Sequence, residues 1–198
     1  MISSLRGILT LKSPTEVLID VGGVGYAVSI PLSTYEVLGD LNSTSTLLTY
    51  LYVREDILQL FGFATEQERT AFKMLVSVSG IGPKMAQGIL SGISVADLKI
   101  HIRTGNLKAL IAIPGVGRKL AERLVLELRD KLERLDGGRS SGVSLTGSIH
   151  QEALLAMTSL GYSRATADKG IAAAVKETDG KSLTLEGLIK AALRKVTA

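Results

Sequence analysis

The 198-residue sequence contains no cysteine, no tryptophan and only two histidines. The absence of cysteine excludes disulfide frameworks, iron–sulfur clusters, thiolate zinc sites and a cysteine nucleophile, and it suits a reducing compartment. No apolar run reaches the roughly 18 residues of a membrane span, and residues 1–7 do not begin an apolar signal segment. We therefore expect a cytoplasmic protein with no membrane association, no metal site and no cofactor.

Neither sign of charge dominates, since 23 Lys and Arg face 19 Asp and Glu for a net charge of +4. The distribution is more informative than the total. Residues 1–63 carry a net charge of −3, residues 64–136 carry +4 and residues 137–198 carry +3. An acidic segment is thus followed by two basic ones. This charge pattern does not by itself identify a binding partner.

The first segment, residues 1–64, has the pattern of a small β domain. Runs of branched and other apolar residues are broken by Pro14 and by the glycines of residues 22–25. The predicted strands are 5–11, 17–21, 26–30, 47–53 and 57–63, with a short helix at 33–38. Five short strands predict a closed or sandwich-like domain, and the pattern alone does not separate an OB barrel from an SH3-like one.

The second segment, residues 65–136, has a helical period. Between residues 118 and 135, Leu120, Leu124, Leu128 and Leu132 fall on one stripe, which predicts one long amphipathic helix. Ser94 is the predicted N-cap of a connecting helix that ends near residue 105.

The remainder divides into a linker and a third domain. Residues 137–148 are rich in Gly and Ser and predict a flexible linker. Residues 149–198 predict three short helices, 149–160, 163–177 and 184–196, with Gly161 stopping the first. The fold class is α+β with several domains.

An internal repeat is the strongest signal. Residues 72–90 match residues 107–125 at an offset of 35, with six of 19 positions identical. Each copy has an apolar helix, a Gly-apolar-Gly turn, a lysine two positions after the second glycine, and another apolar-periodic helix. This pattern resembles a tandem helix-hairpin-helix motif.

The residue types of these turns suit phosphate binding. Glycine permits positive φ and a close main-chain approach, and the helix that follows adds free N–H groups and the positive end of its dipole. Such contacts predict salt-sensitive binding that is indifferent to sequence. The candidate DNA-binding residues are Gly80, Gly82, Lys84, Gly115, Gly117, Arg118, Lys119 and Arg123.

Competing interpretations of these features are weaker. A single Gly-x-Gly is as well explained by a helix stop, but two copies in register with lysine favour DNA binding. A helix-hairpin-helix glycosylase or nuclease would need a catalytic Asp beyond the hairpin, and Asp136 lies at the edge of the linker. Gly180-Lys181-Ser182 has no first glycine at Val175 and is not a P-loop.

Across all three segments the chain resembles the RuvA family, the Holliday-junction-binding subunits of bacterial RuvAB branch-migration complexes. The motifs that carry the resemblance are residues 5–7, 21–26, 53–56 and 60–63, both hairpins, residues 121–124 and residues 160–162. It implies an OB-fold barrel, a tandem helix-hairpin-helix domain and a UBA-like three-helix domain. It also implies a homotetramer, in some members stacked as an octamer, which has no catalytic site.

The resemblance further implies partners and two surfaces. The partners are four-way junction DNA and the RuvB hexameric ATPase, and it leaves open whether a RuvC resolvase joins the complex. Glu55 and Asp56, otherwise a solvated turn, become an acidic pin that repels phosphates at the centre of the tetramer. The candidate motor-binding residues are Leu154, Met157, Leu160, Tyr162, Ile189 and Leu193, although a domain this small needs most such residues for its own core.

Overall fold

The computed structural model describes residues 1–136, 145–177 and 184–197. The chain divides into two compact units, Met1–Arg134 and Leu135–Ala198. The first unit holds a β-barrel and a helical domain, and the second is a small helical domain.

Five strands form the barrel. They are β1 (Ser4–Lys12), β2 (Glu16–Val21), β3 (Val24–Ser29), β4 (Thr44–Val53) and β5 (Leu58–Phe63), with helix α1 (Leu32–Val37) between β3 and β4. The sheet closes in the order β1-β2-β3-β5-β4, and β3 pairs with β5 in parallel. Alternation along the strands buries one face, including Leu9, Ile19 and Leu47. The predicted OB-type barrel is confirmed.

The helical part of the first unit contains α2 (Glu66–Val76), α3 (Pro83–Gly92), α4 (Val95–Thr104), α5 (Leu107–Ile111) and α6 (Arg118–Asp136). The predicted stripe of α6 is confirmed, because Leu124, Leu128 and Leu132 are buried in the core of this domain. The predicted cap is confirmed too, since the Ser94 hydroxyl accepts from the backbone N–H of Asp97 at 3.1 Å.

A buried carboxylate joins the barrel to the helices. Glu68 forms a capping box with Thr65 at the start of α2. Its carboxylate also accepts from the hydroxyl of Ser33 at 2.5 Å and from the hydroxyl of Thr34 at 3.1 Å, both on α1. Glu68 is only 7% exposed, so these donors replace the water that the charge has lost.

Aromatic contacts continue the same junction. Phe61 and Phe63 of β5 lie 5.0 and 4.9 Å, centroid to centroid, from the ring of Phe72 on α2. Tyr50 of β4 meets the same ring edge-on at 5.4 Å. The strands that form the acidic hairpin are therefore fixed against the first helix of the first hairpin motif.

The second unit contains α7 (Leu145–Ser159), α8 (Arg164–Glu177) and α9 (Leu185–Thr197). The predicted helices are present, and Gly161 follows α7 with a left-handed φ of 97°. Helix α7 begins at Leu145 rather than at the predicted residue 149, because each residue added to a helix gains a backbone hydrogen bond even where Gly and Ser suggest a linker. Residues 137–144 lie outside the described residues, so the linker stays a prediction.

Glycine allows α8 and α9 to approach closely in this unit. A Cβ at Gly170 would stand 2.7 Å from Cγ2 of Val196. The small core around this contact includes Met157, Ile171 and Leu188. Among the described residues of the whole chain, no helix combines the length and the apolar character that a bilayer span requires.

Candidate nucleic-acid interface

The two glycine turns of the repeat have the same backbone hydrogen bonds. In the first, the N–H of Ile81 donates to the carbonyl of Val78 at 3.1 Å; in the second, the N–H of Val116 donates to the carbonyl of Ile113 at 3.0 Å. Ile81 and Val116 are 5% and 4% exposed and belong to the core of the helical part, so their side chains hold each turn against its own helices. The repeat seen in the sequence is therefore a repeat of local structure.

The two glycines of each turn differ in backbone conformation, so glycine is explained differently at the two positions. Gly80 and Gly115 have φ of 91° and 83°, which disfavour any residue with a Cβ. Gly82 has an ordinary φ of −85°. No described atom lies within 4 Å of where a Cβ would stand at Gly82 or Gly117. Neither backbone strain nor crowding requires glycine at these two positions, and the open space suits the approach of another molecule.

Free backbone donors line that space. In the described part of the chain, the N–H groups of Gly80 and Gly82 have no protein acceptor, and the same holds for Gly115 and Gly117. Helices α3 and α6 begin immediately after the second glycine of each turn, and the first N–H groups of a helix also lack partners. In α3 these donors begin at Lys84, because Pro83 has no N–H. Each turn thus offers a cluster of donors at the positive end of a helix dipole.

Lys84 and Lys119 stand in the first turns of α3 and α6, and both are exposed. A cation at a helix N-terminus is opposed by the helix dipole, typically by about 0.3–1 kcal/mol. Neither first turn contains an acidic residue to offset it. Two lysines in equivalent unfavourable positions indicate an external anion.

Of the other repeated lysines, Lys73 has an intramolecular explanation, because it occupies the last turn of α2, where a cation complements the negative end of the dipole. Lys108 lies on α5, a helix of five residues whose first and last turns overlap, so the dipole neither favours nor opposes it clearly. These two lysines serve as a natural comparison for Lys84 and Lys119.

The two candidate arginines both have protein partners. Arg118 Nε donates to Oε1 of Glu122 at 3.1 Å on an exposed surface. Arg123 Nη1 donates to the backbone carbonyl of Ser79 at 2.8 Å, and its Nε lies 3.8 Å from Oε1 of Glu127. Sequence spacing places Arg123 one helical turn after Lys119 on α6, in the second hairpin. In the structure, its side chain reaches the glycine turn of the first hairpin. No local sequence signal indicates that contact.

Glu55 and Asp56 form the tip of a hairpin that extends beyond the barrel. The β1–β4 pairing ends at Leu48, but β4 and β5 remain paired as far as Val53 and Leu58. Both carboxylates are exposed. The hairpin beyond the barrel is a two-stranded ribbon with negative charge at its end.

An arginine beside the tip is held on the ribbon. Arg54 Nε donates to the hydroxyl of Tyr52 at 2.9 Å, and its Cζ lies 5.4 Å from the centre of that ring. This hydrogen bond raises the pKa of Arg54 above its ordinary value. Sequence reasoning missed the pair, although residues two apart on a strand share a face.

Within the described ranges, no group of three or more His, Asp or Glu side chains is placed to hold a metal ion.

The candidate motor-binding residues differ widely in exposure. Met157 is fully buried and Leu160 is 61% exposed. The others, Leu154, Tyr162, Ile189 and Leu193, are half-buried against the core of the second unit. Leu155 is 67% exposed and was missed, because its apolar character does not distinguish it from the core residues around it.

The barrel, the paired turns and their lysines define a DNA-binding protein of the tandem helix-hairpin-helix class. Family models match three parts of the chain: the RuvA N terminal domain at residues 1–62, the SAM-like helix-hairpin-helix tandem at 72–130 and the RuvA C-terminal domain at 148–196. The chain belongs to the RuvA family.

Relatives match over nearly the whole length. A protein of Solibacter usitatus is 46% identical over 199 residues, covering 99% of this chain and 100% of the relative. Proteins of Amoebophilus asiaticus and Chloroherpeton thalassium are 41% and 44% identical, covering 98% and 99% of this chain and 100% and 99% of those relatives. All three are named Holliday junction branch migration complex subunit RuvA.

Proposed function

We propose that the protein is the junction-binding subunit of a branch-migration complex. It holds four-way junction DNA open and planar through sequence-independent phosphate contacts, and it has no catalytic site of its own. The observation that carries the proposal is the pair of equivalent turns, each with free N–H groups, open space over a glycine and a lysine at a helix N-terminus. Two such sites in one unit suit two phosphates of one duplex arm.

In this proposal, the acidic ribbon makes the protein prefer four-way junctions to linear duplex. Carboxylates at Glu55 and Asp56 repel phosphates over about one Debye length, roughly 8–10 Å. In a fourfold tetramer, four such tips surround the crossover and keep exchanging strands apart. A linear duplex gains nothing from this arrangement.

The finer parts of the proposal concern partners and place. The assembly is a homotetramer in the cytoplasm, and the second unit recruits the RuvB hexameric ATPase that drives branch migration in recombination and repair. Exposed Leu160 and the half-buried apolar residues beside the core form the proposed contact. Mass measurements with and without junction DNA and RuvC distinguish a tetramer from an octamer and show whether the resolvase joins.

Replacing the two helix-start lysines tests the proposal. We expect Lys84→Ala with Lys119→Ala to weaken junction binding and to reduce the slope of log affinity against log salt by about 2, since each phosphate contact contributes about 0.9. Thermal stability should stay equal or rise slightly, because each change removes a cation opposed by a helix dipole. Fluorescence anisotropy across a salt series and a thermal melt provide the measurements.

The matched control is Lys73→Ala with Lys108→Ala, which removes the same charge from the same repeat. This control should keep the wild-type salt slope, and its Lys73→Ala change should cost a few tenths of a kcal/mol in stability, because it removes a cation from the last turn of α2. Equal slopes in the two double variants would reject the phosphate-contact assignment.

A further inference from the structure

The two turns of the repeat differ in how they are held. At the offset of 35, Ser77 and Ser79 of the first turn correspond to Ala112 and Pro114 of the second. The proline ring fixes φ at about −65° and so limits the second turn covalently. The first turn has no proline before its first glycine; its own proline, Pro83, comes after the second glycine and begins α3.

Side chains of α6 supply the missing restraint. Arg123 Nη1 donates to the carbonyl of Ser79 at 2.8 Å, and Lys131 Nζ donates to the hydroxyl of Ser77 at 2.9 Å. Both donors belong to the last helix of the second hairpin. Helix α6 therefore contacts the two positions at which the first turn has serine and the second has alanine or proline.

The contact with Ser79 also orients a phosphate-binding donor. In a trans peptide the carbonyl of residue 79 and the N–H of Gly80 point in opposite directions. Because Arg123 holds that carbonyl, the N–H of Gly80 is directed away from the guanidinium. A Cβ at Gly80 would stand 3.6 Å from Nη1 of Arg123, so the guanidinium lies close beside the turn.

Within the described residues, the second hairpin restrains the glycine turn of the first hairpin, but the first hairpin does not restrain the turn of the second. The residue of α3 that corresponds to Arg123 is Gly88, which has no side chain to reach the second turn. In the part of the chain that the structure describes, no side chain donates to the carbonyl of Pro114. The second hairpin thus supports the first, and Pro114 makes the reverse support unnecessary.

We propose that Arg123 is a positioning residue that fixes the first glycine turn in its phosphate-binding conformation, taking the part that Pro114 plays in the second turn. Its effect on DNA affinity rests on the proposed function, whereas its effect on the turn does not. Arg123 then contributes to binding through Gly80 and its neighbours rather than as a phosphate ligand beside Lys119.

Hydrogen exchange of two backbone amides tests the proposal without DNA. In the full-length chain, Arg123→Ala should speed exchange of the Ile81 amide by about tenfold, because the turn that this amide closes loses a charge-assisted hydrogen bond. The Val116 amide of the second turn should be unchanged, and it reports in the same sample that the fold is intact. Arg129→Ala is the control, since Arg129 donates to the carbonyl of Arg103 at the end of α4. Unchanged exchange at Ile81 would overturn the proposal.

The rescue experiment places the proline of the second turn at the equivalent position of the first turn. Ser79→Pro gives the first turn the residue of the second, and the matching hydrogen bonds of the two turns indicate that the position accepts it. Added to Arg123→Ala, it should restore slow exchange at Ile81. Exchange that stays fast in the double variant, while Val116 stays protected, would contradict a positioning role for Arg123.

Double-mutant cycles on junction affinity complete the test. Arg123→Ala should be non-additive with Lys84→Ala in the first hairpin and additive with Lys119→Ala in the second. The reverse pattern would identify Arg123 as a phosphate ligand beside Lys119. That outcome would reject the positioning role of Arg123 and leave the proposed function of the protein standing. If neither lysine variant weakens binding, the proposed function fails, and the exchange results still decide the role of Arg123.

Discussion

At the scale of single residues, we expect substitutions of Gly80 to affect folding and substitutions of Gly82 to affect DNA binding. Gly80 is required by its own backbone, since its φ of 91° strains any residue with a Cβ. Gly82 has an unstrained φ and open space where a Cβ would stand. Substitutions two positions apart should therefore fail for different reasons.

We expect Gly82→Ala to lower the free energy of unfolding by no more than about 1 kcal/mol, because alanine is a poorer N-cap than glycine. It should also weaken junction binding, because the added methyl group occupies the space through which a phosphate approaches. Gly80→Ala should lower stability by about 1–2 kcal/mol through left-handed strain. Denaturant unfolding and anisotropy provide the two measurements.

Gly88→Ala is the matched control on α3. It lies inside the helix with no described atom within 4 Å of its Cβ position, so it should stabilise the protein by about 0.5–1 kcal/mol and leave binding unchanged. Wild-type affinity in Gly82→Ala would show that no close approach occurs at this turn.

At the scale of elements, the ribbon of β4 and β5 combines a rigid base with a charged tip. Its strands meet Phe72 through Tyr50, Phe61 and Phe63, and its outer part extends beyond the barrel. Because Phe72 lies on the helix that leads into the first glycine turn, the ribbon and that turn share one packed base. The base of the ribbon and the first glycine turn are therefore held by the same aromatic cluster.

Reversing the charge of the tip should separate binding from migration. We expect Glu55→Lys with Asp56→Lys to keep or raise junction affinity, because a tip that repels phosphates becomes one that attracts them, and to alter branch migration by the motor. Glu36→Lys with Asp40→Lys makes the same charge change on exposed acids elsewhere in the barrel and serves as control. Wild-type migration in the tip variant would reduce the pair to an ordinary solvated turn.

The same elements show how far sequence reasoning reaches. Strands, helices and both glycine turns were predictable, because period, caps and the Gly-x-Gly spacing are local signals. The contact of Arg123 with Ser79 joins residues 44 apart in the chain, and the buried carboxylate of Glu68 reaches Ser33 across 35 residues. Such contacts depend on how elements pack, and no periodic pattern encodes them.

At the scale of the whole molecule, the charge pattern of the sequence acquires a spatial meaning. The barrel with a net charge of −3 and the hairpin domain with +4 belong to the same compact unit. One unit therefore holds both the glycine turns with their lysines and the acidic ribbon. The net charge of these two parts is +1, and residues 137–198 add the remaining +3 of the total.

Competition between junction and duplex tests this account most directly. Labelled four-way junction bound to the full-length protein in moderate salt is challenged with unlabelled junction or with linear duplex of the same length and sequence. The account predicts that junction displaces the label at far lower concentration than duplex, since only a junction places arms on the turns and a crossover among the acidic tips. Equal displacement by the two competitors would contradict it.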